Sequence, residues 1–151
     1  MLVRLLPEQI GKYWNVIKYS LEHTFPAGTR SKGEKLNFAL EELLVGKHMH
    51  AWACVRENAA KEDYDVIGIV LTSVVTEVGT KIQYLRILVL FAFEDVPISD
   101  WKQGLVILRT FADSIGCDAI DGYTDMPSVI AFVKAAGGDT SRTYVQLRVK
   151  E

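Results

Sequence analysis

The sequence predicts an α/β domain with a mixed, mostly antiparallel central sheet and helices on both faces, in the order β-α-α-β-β-β-α-β-α-β across residues 1–151. Three observations predict it. Two segments near the start carry apolar residues at spacings of three and four, as amphipathic helices do. Three Val-, Ile- and aromatic-rich runs then follow one another, separated by turn residues. The last third alternates helical and strand patterns, which closes an α/β layer arrangement. No internal repeat, low-complexity tract or linker interrupts the chain, so a single domain over 1–151 is expected.

Each element has its own local reason. Met1 to Leu6 is a short apolar strand candidate, and Pro7 suits the first helical turn because its missing N–H would have no partner there. Ile10, Trp14, Ile17 and Leu21 form the inner stripe of the first helix, which should end by about His23, before Phe25-Pro26-Ala27-Gly28. His23 near that end suits a capping role against the helix dipole. Ser31 with Glu34 reads as a capping box opening a second helix, with Leu36, Leu40, Leu43 and Leu44 as its buried stripe and Gly46 as its stop. His50 to Glu57, Tyr64 to Val78 and Lys81 to Phe93 read as strands of an antiparallel meander, joined by hairpin loops at Asn58 to Asp63 and Glu77 to Thr80. Ser99 or Asp100 should cap a third helix with an inner stripe of Trp101, Leu105, Leu108, Ala112 and Ile115, stopped by Gly116. Asp118 to Tyr123 is a short strand and Pro127 to Ala136 a fourth helix, ended by Gly137-Gly138. In Thr143 to Lys150, Val145, Leu147 and Val149 alternate with Tyr144, Gln146 and Arg148, the pattern of a half-buried closing strand.

Composition excludes several function classes. Seventeen Lys plus Arg against nineteen Asp plus Glu give a net charge of -2, without the basic excess that tracking a phosphate backbone requires, so no nucleic-acid partner is expected. The longest nearly apolar run, Leu85 to Phe93 broken by Arg86, is about half of a membrane-spanning helix, so no membrane partner is expected either. The start carries no secretory pattern. Cys54 and Cys117 stand far apart and outside any CxxC motif. A reduced, cytoplasmic protein is expected.

Gly116-Cys117-Asp118-Ala119-Ile120, leading into Met126-Pro127-Ser128-Val129-Ile130-Ala131-Phe132-Val133-Lys134-Ala135-Ala136-Gly137-Gly138, resembles a strand and helix of the GNAT superfamily, the acyl-CoA-dependent N-acyltransferases. Pro127, Ile130, Phe132 and Gly137 fall in register with the family pattern Asn-Pro-x-Ala-Ile-x-Phe-Tyr-x-x-x-Gly-Phe, and the predicted element order is similar throughout. The resemblance implies a GNAT-like fold and an acetyl-CoA site at the turn between the fourth strand and the third helix. There the family pattern Gln/Arg-x-x-Gly-x-Gly/Ala offers backbone amides and a helix N-terminus to pyrophosphate.

At two places this sequence departs from that pattern. The equivalent turn, Phe93-Glu94-Asp95-Val96-Pro97-Ile98-Ser99-Asp100-Trp101, has no glycine and no basic residue, and Gly104 comes too late to shape it. Glu94, Asp95 and Asp100 bring three carboxylates, each costing roughly 3 kcal/mol before screening if it lay about 5 Å from a phosphate. Pro97 removes one more donor. Val133 stands where many relatives carry the tyrosine that protonates the leaving thiolate, and Gly138 replaces the last aromatic; Tyr123 and Tyr144 are the candidate substitutes, whose hydroxyls the sequence alone does not place.

These departures predict a GNAT-fold protein with a degenerate acetyl-CoA site and no cofactor. It would be a non-catalytic binding or assembly component, as in a phage or other multiprotein particle, whose partners are other protein chains, copies of itself included. The alternative is an active N-acetyltransferase that moves an acyl group from acetyl-CoA to an unknown amine. On that alternative Phe91, Phe93, Ser99 and Phe132 are the cofactor-binding candidates, while Glu94 and Tyr123 are the catalytic ones. Glu77 is a further candidate base, with a solvated strand end as the plainer role.

Other groups read more simply. His48-Met49-His50 would project two rings from one face of an extended segment, with Cys54 farther along it, but no third ligand is visible and no metal site is expected. Trp14, Trp52 and Trp101 read as packing anchors. Arg30, Lys32 and Lys35, with Gly28 and Gly33, form a small basic cluster where relatives place a substrate-gating loop; a solvated turn is the plainer reading.

Overall fold

The computed structural model describes residues 1–25 and 31–147. Its chain forms two compact units, Met1–Asp121 and Gly122–Glu151, and each is described by itself.

In the first unit, β1 (Leu2–Leu5) leads through a 3-10 turn at Pro7–Gln9 into α1 (Ile10–Thr24). The backbone N–H of Leu6 donates to Gln9 Oε1 at 2.8 Å, fixing the entry to that turn. α2 (Lys32–Val45) follows, and Gly46 ends it at φ 66°, a left-handed conformation that glycine adopts without steric cost. The expected Ser31 capping box does not form, because Ser31 itself sits at φ 54° and its side chain makes no cap hydrogen bond. Leu44 also departs from expectation, since it is exposed; the buried stripe of α2 is Leu36, Ala39 and Leu43.

β2 (Met49–Asn58), β3 (Asp63–Thr76) and β4 (Gln83–Ala92) form the antiparallel meander that the sequence predicts. β1 pairs antiparallel with β2, and β5 (Ala119–Gly122) lies beyond β4, giving the order β1-β2-β3-β4-β5. α3 (Ile98–Ser114) connects β4 to β5.

Alternation along the strands divides the core in two. Met49, Ala51, Ala53, Ile69 and Leu71 pack against Ile10, Ile17 and Leu21 of α1 and Leu36, Ala39 and Leu43 of α2. Trp52, Val70 and Leu85 pack with Leu2 against Leu108 and Ala112 of α3. Helices therefore cover both faces of the sheet within this unit.

The second unit carries α4 (Pro127–Ala135). Gly137, at φ 82°, ends the helix as its sequence pattern predicts. The backbone N–H of Gly138 donates to Val133 O at 2.9 Å, and a Cβ on Gly138 would lie 2.5 Å from Val133 Cγ1. A side chain at position 138 would therefore press on Val133. The closing strand does not form over its described part: residues 143–147 pair with nothing as a strand, and Val145 and Leu147 are exposed. Alternation alone does not make a strand, which needs a paired neighbour, and residues 143–147 have none. Residues 148–150 of that expected strand lie outside the described residues.

Candidate functional site

The site is built around β4. In the β3–β4 ladder Leu71 faces Val89 and Thr72 faces Ile87, so Leu88 is an extra residue on β4, a bulge. One inserted residue reverses which face the following side chains occupy. Before the bulge, Leu85 and Ile87 point to the α3 core; after it, Val89 and Phe91 point to the α1 and α2 core.

The outer edge of β4 is only partly covered. The N–H of Asp118 donates to Gln83 O at 2.8 Å, and Arg86 binds Asp121 three residues farther along both strands, so β5 runs parallel to β4. β5 stops at Gly122 after four residues, whereas β4 continues to Ala92. Among the described residues no strand pairs with that remaining edge. Edge amides and carbonyls of this kind accept an extended ligand as an added strand.

Beyond β4 the chain turns into α3. Phe93 N–H donates to Ile67 O at 2.9 Å, and Trp101 Nε1 donates to Val96 O at 3.1 Å, pinning the two ends of the turn. Neither Ser99 nor Asp100 caps the helix, contrary to expectation: Pro97 is the N-cap, and no side chain bonds there. The fixed φ of proline places the helix start two residues early. Ile98 and Ser99, both exposed, present first-turn amides that have no partner within the helix. Two of the three carboxylates around the turn are paired with cations. Glu94 Oε2 lies 2.8 Å from Arg56 Nη1, and Asp100 Oδ2 lies 3.7 Å from the amino group of Met1.

On the α1 side, an aromatic cluster lies beside the end of β4. Tyr19 stacks on His23 with ring centroids 3.9 Å apart, and Phe91 lies 5.1 Å from Phe93 and 5.8 Å from both Tyr19 and His23. His23 Nδ1 meets Tyr19 O at 2.7 Å, so its ring is tied to the last turn of α1.

A cavity of about 460 Å³ opens between α1, α2 and the sheet. Leu21, Phe25, Phe38, Met49, Leu88 and Val89 give it an apolar wall. Polar groups are few: Glu42, His48, Ser73, Thr24 and Lys35. Leu88, the bulge residue, is therefore shared between the uncovered stretch of β4 and this cavity. Its volume would admit a small molecule, and its mouth is open to solvent at the exposed Phe38.

Of the sequence candidates, Phe91, Phe93, Ser99 and Glu94 gather at the end of β4 and the start of α3. Glu94 is held in an ion pair with Arg56, which competes with any role as a base. Glu77 lies in the β3–β4 hairpin, where it accepts a hydrogen bond from Thr80, at the other end of β4. Tyr123, Phe132 and Val133 belong to the second unit, where the Tyr123 and Tyr144 rings lie 4.5 Å apart. His48 and His50 do not share a face as expected. His48 lines the cavity, while His50 packs on Phe111 of α3 with ring centroids 4.9 Å apart, because the strand begins only at Met49.

Burial, and secondarily Arg4, lower the His50 pKa to about 4. Burial raises both free thiols, Cys54 and Cys117, and so weakens them as nucleophiles. Among the described residues no three His, Cys, Asp or Glu side chains gather as a metal site. The three tryptophans anchor packing: Trp14 borders the α1 core, Trp52 donates to Thr72 Oγ1 at 3.0 Å, and Trp101 holds the turn. Of the basic cluster, Gly28 and Arg30 lie outside the described residues, and Lys35 lines the cavity. Nothing in the sequence singles out Leu88, Glu42, Ser73 or Arg56, and the unbroken apolar run around Leu88 gives no sign of a bulge.

No family model matches the sequence, and no curated protein matches it. Solved structures do. A probable acetyltransferase superposes with a TM-score of 0.70 at 13% identity, over 100% of this chain and 99% of its own. AAC(6')-Iy in complex with the bisubstrate analogue CoA-S-monomethyl-acetylneamine gives 0.67 at 13% identity, over 99% and 97%. A predicted acetyltransferase from Clostridium acetobutylicum with acetyl-CoA gives 0.67 at 11%, over 99% and 96%. The chain has the GNAT fold. Among its described residues no helix is long and apolar enough to cross a membrane.

Proposed function

We propose that this protein is an acyl-CoA-dependent N-acyltransferase, the alternative reading of its sequence rather than the non-catalytic one. The observation that carries the proposal is the bulge at Leu88, which stands where an uncovered strand edge meets an apolar cavity. An extended acyl-pantetheine arm fits the first and an acceptor amine the second. Likeness of fold to acetyltransferases, two of them solved with acetyl-CoA or a CoA-linked analogue, supports the same reading.

The residues present fit acyl-CoA in part. Backbone groups of β4 from Leu88 to Ala92 would hold the arm, and Phe91 and Phe93 would flank it. The amides of Ile98 and Ser99, with the Ser99 hydroxyl, would face the pyrophosphate at the start of α3. Arg56 offsets the charge of Glu94, which removes one of the three carboxylate penalties expected from sequence. Bound acyl-CoA would supply a thioester carbon for the amine nitrogen: the C–N bond forms, the C–S bond breaks, and the amine proton leaves as the thiol gains one. On the cavity wall, Glu42 and His48 are the side chains able to accept that amine proton.

Asp95 and Pro97 favour the second reading, a fold retained as a protein-binding component. A thiol-release assay across amines, polyamines and peptides separates the two. The enzyme reading predicts acceptor-dependent release, with amide NMR shifts at Leu88 to Phe93 when acetyl-CoA is added. Release at the blank rate with every acceptor, and no shifts, would favour the second.

A further inference from the structure

We infer that the acceptor is a monoamine with an apolar body, an arylalkylamine or alkylamine, rather than a polyamine or aminoglycoside. This rests on the acyltransferase reading and concerns the cavity beside Leu88. Its wall is dominated by Leu21, Phe25, Phe38, Met49, Leu88 and Val89, which favour apolar bulk. Among the described residues a single carboxylate, Glu42, lines it and no cation pairs with it; the residue is half-buried. A carboxylate in an apolar setting holds one ammonium strongly.

A second ammonium meets no second carboxylate on this wall among the described residues. Lys35 lies two helical turns before Glu42 on α2 and lines the same cavity, about 10 Å away along the axis. A diamine or polyamine whose first charge sits at Glu42 would bring its next charge toward Lys35, or out past Phe38, which is 63% exposed, into water where it gains no contact. The wall therefore rewards an apolar body and offers nothing to a second charge, which favours monoamines. Acylation removes the charge that Glu42 holds, so the neutral amide product loses its anchor.

The probes are phenylethylamine, spermidine and neamine, each assayed for thiol release with acetyl-CoA and titrated alone into the protein by NMR. Phenylethylamine should have a kcat/KM at least about tenfold above the other two, and Glu42→Gln should raise its KM about tenfold. Lys35→Ala should narrow the gap by improving spermidine. Phenylethylamine binding that Glu42→Gln abolishes, in a protein that does not bind acetyl-CoA, would support the cavity assignment while removing the enzyme reading beneath it. Acetyl-CoA-dependent turnover of spermidine or neamine in preference to phenylethylamine would leave that reading standing and overturn this inference. So would a Glu42→Gln variant with an unchanged KM.

Discussion

Arg86 and Asp121 are joined by two parallel hydrogen bonds, Nε to Oδ1 at 3.0 Å and Nη2 to Oδ2 at 2.6 Å, which tie β5 to β4 just before the uncovered edge begins. Both side chains are mostly shielded, at 24% and 32% exposure, so the pair keeps more of its strength than an open surface pair. Asp121→Asn should cost about 1–2 kcal/mol in urea unfolding. Arg86→Lys should recover little of that, because an ammonium cannot reproduce the planar two-bond fork. Full recovery with lysine would show that charge alone matters there.

A side chain on Gly68 of β3 would press on the backbone of β4. A Cβ there would sit 3.0 Å from the carbonyl oxygen of Phe91 and 3.5 Å from Cys54 Cβ. The first contact is backbone, so it cannot turn aside. Gly68→Ala should destabilise by about 1–3 kcal/mol, as overpacking does, and should weaken acetyl-CoA binding by displacing the end of β4. Thermal unfolding and calorimetry on the one variant read both effects.

His50 is buried against Phe111, with the Arg4 guanidinium 4.7 Å over the same ring, and its pKa falls to about 4 against an ordinary 6.5. The unfolded chain therefore binds a proton that the folded chain refuses. Stability from this residue is complete above pH 6.5 and is lost as pH falls toward 4, by about 3 kcal/mol in all. Urea unfolding at a series of pH values should show that slope. His50→Gln should flatten it, and an unchanged slope in the variant would assign it to other groups.

The Arg56–Glu94 ion pair sets the charge at the turn before α3. Arg56→Ala should expose Glu94 and weaken acetyl-CoA binding about five- to tenfold at low salt, while Glu94→Gln should tighten it. Both effects should shrink as salt rises. A Glu94→Gln variant with no gain in affinity would place the pyrophosphate elsewhere.

Most of the fold was legible in the sequence because it is written in periodicity. The stripe of Ile10, Ile17 and Leu21, the Val- and Ile-rich meander and the stops at Gly46 and Gly137 each follow from local chemistry. What failed depended on distant partners. Ser31 has the right residue type for a cap but the wrong backbone, and Val145 and Leu147 alternate without pairing as a strand. The Leu88 bulge was hidden because nearly every residue around it is apolar, so a change of face leaves no mark in the composition. Arg56 and Glu94 are 38 positions apart in sequence, and only the β2–β3–β4 pairing brings them together; the turn therefore read as more acidic than it is.

Isothermal titration with acetyl-CoA tests the central claim most directly. The uncovered edge of β4 and the start of α3 predict saturable one-to-one binding, with Gly68→Ala weaker than the parent protein. No heat up to high micromolar acetyl-CoA would contradict the account and return the chain to the non-catalytic reading.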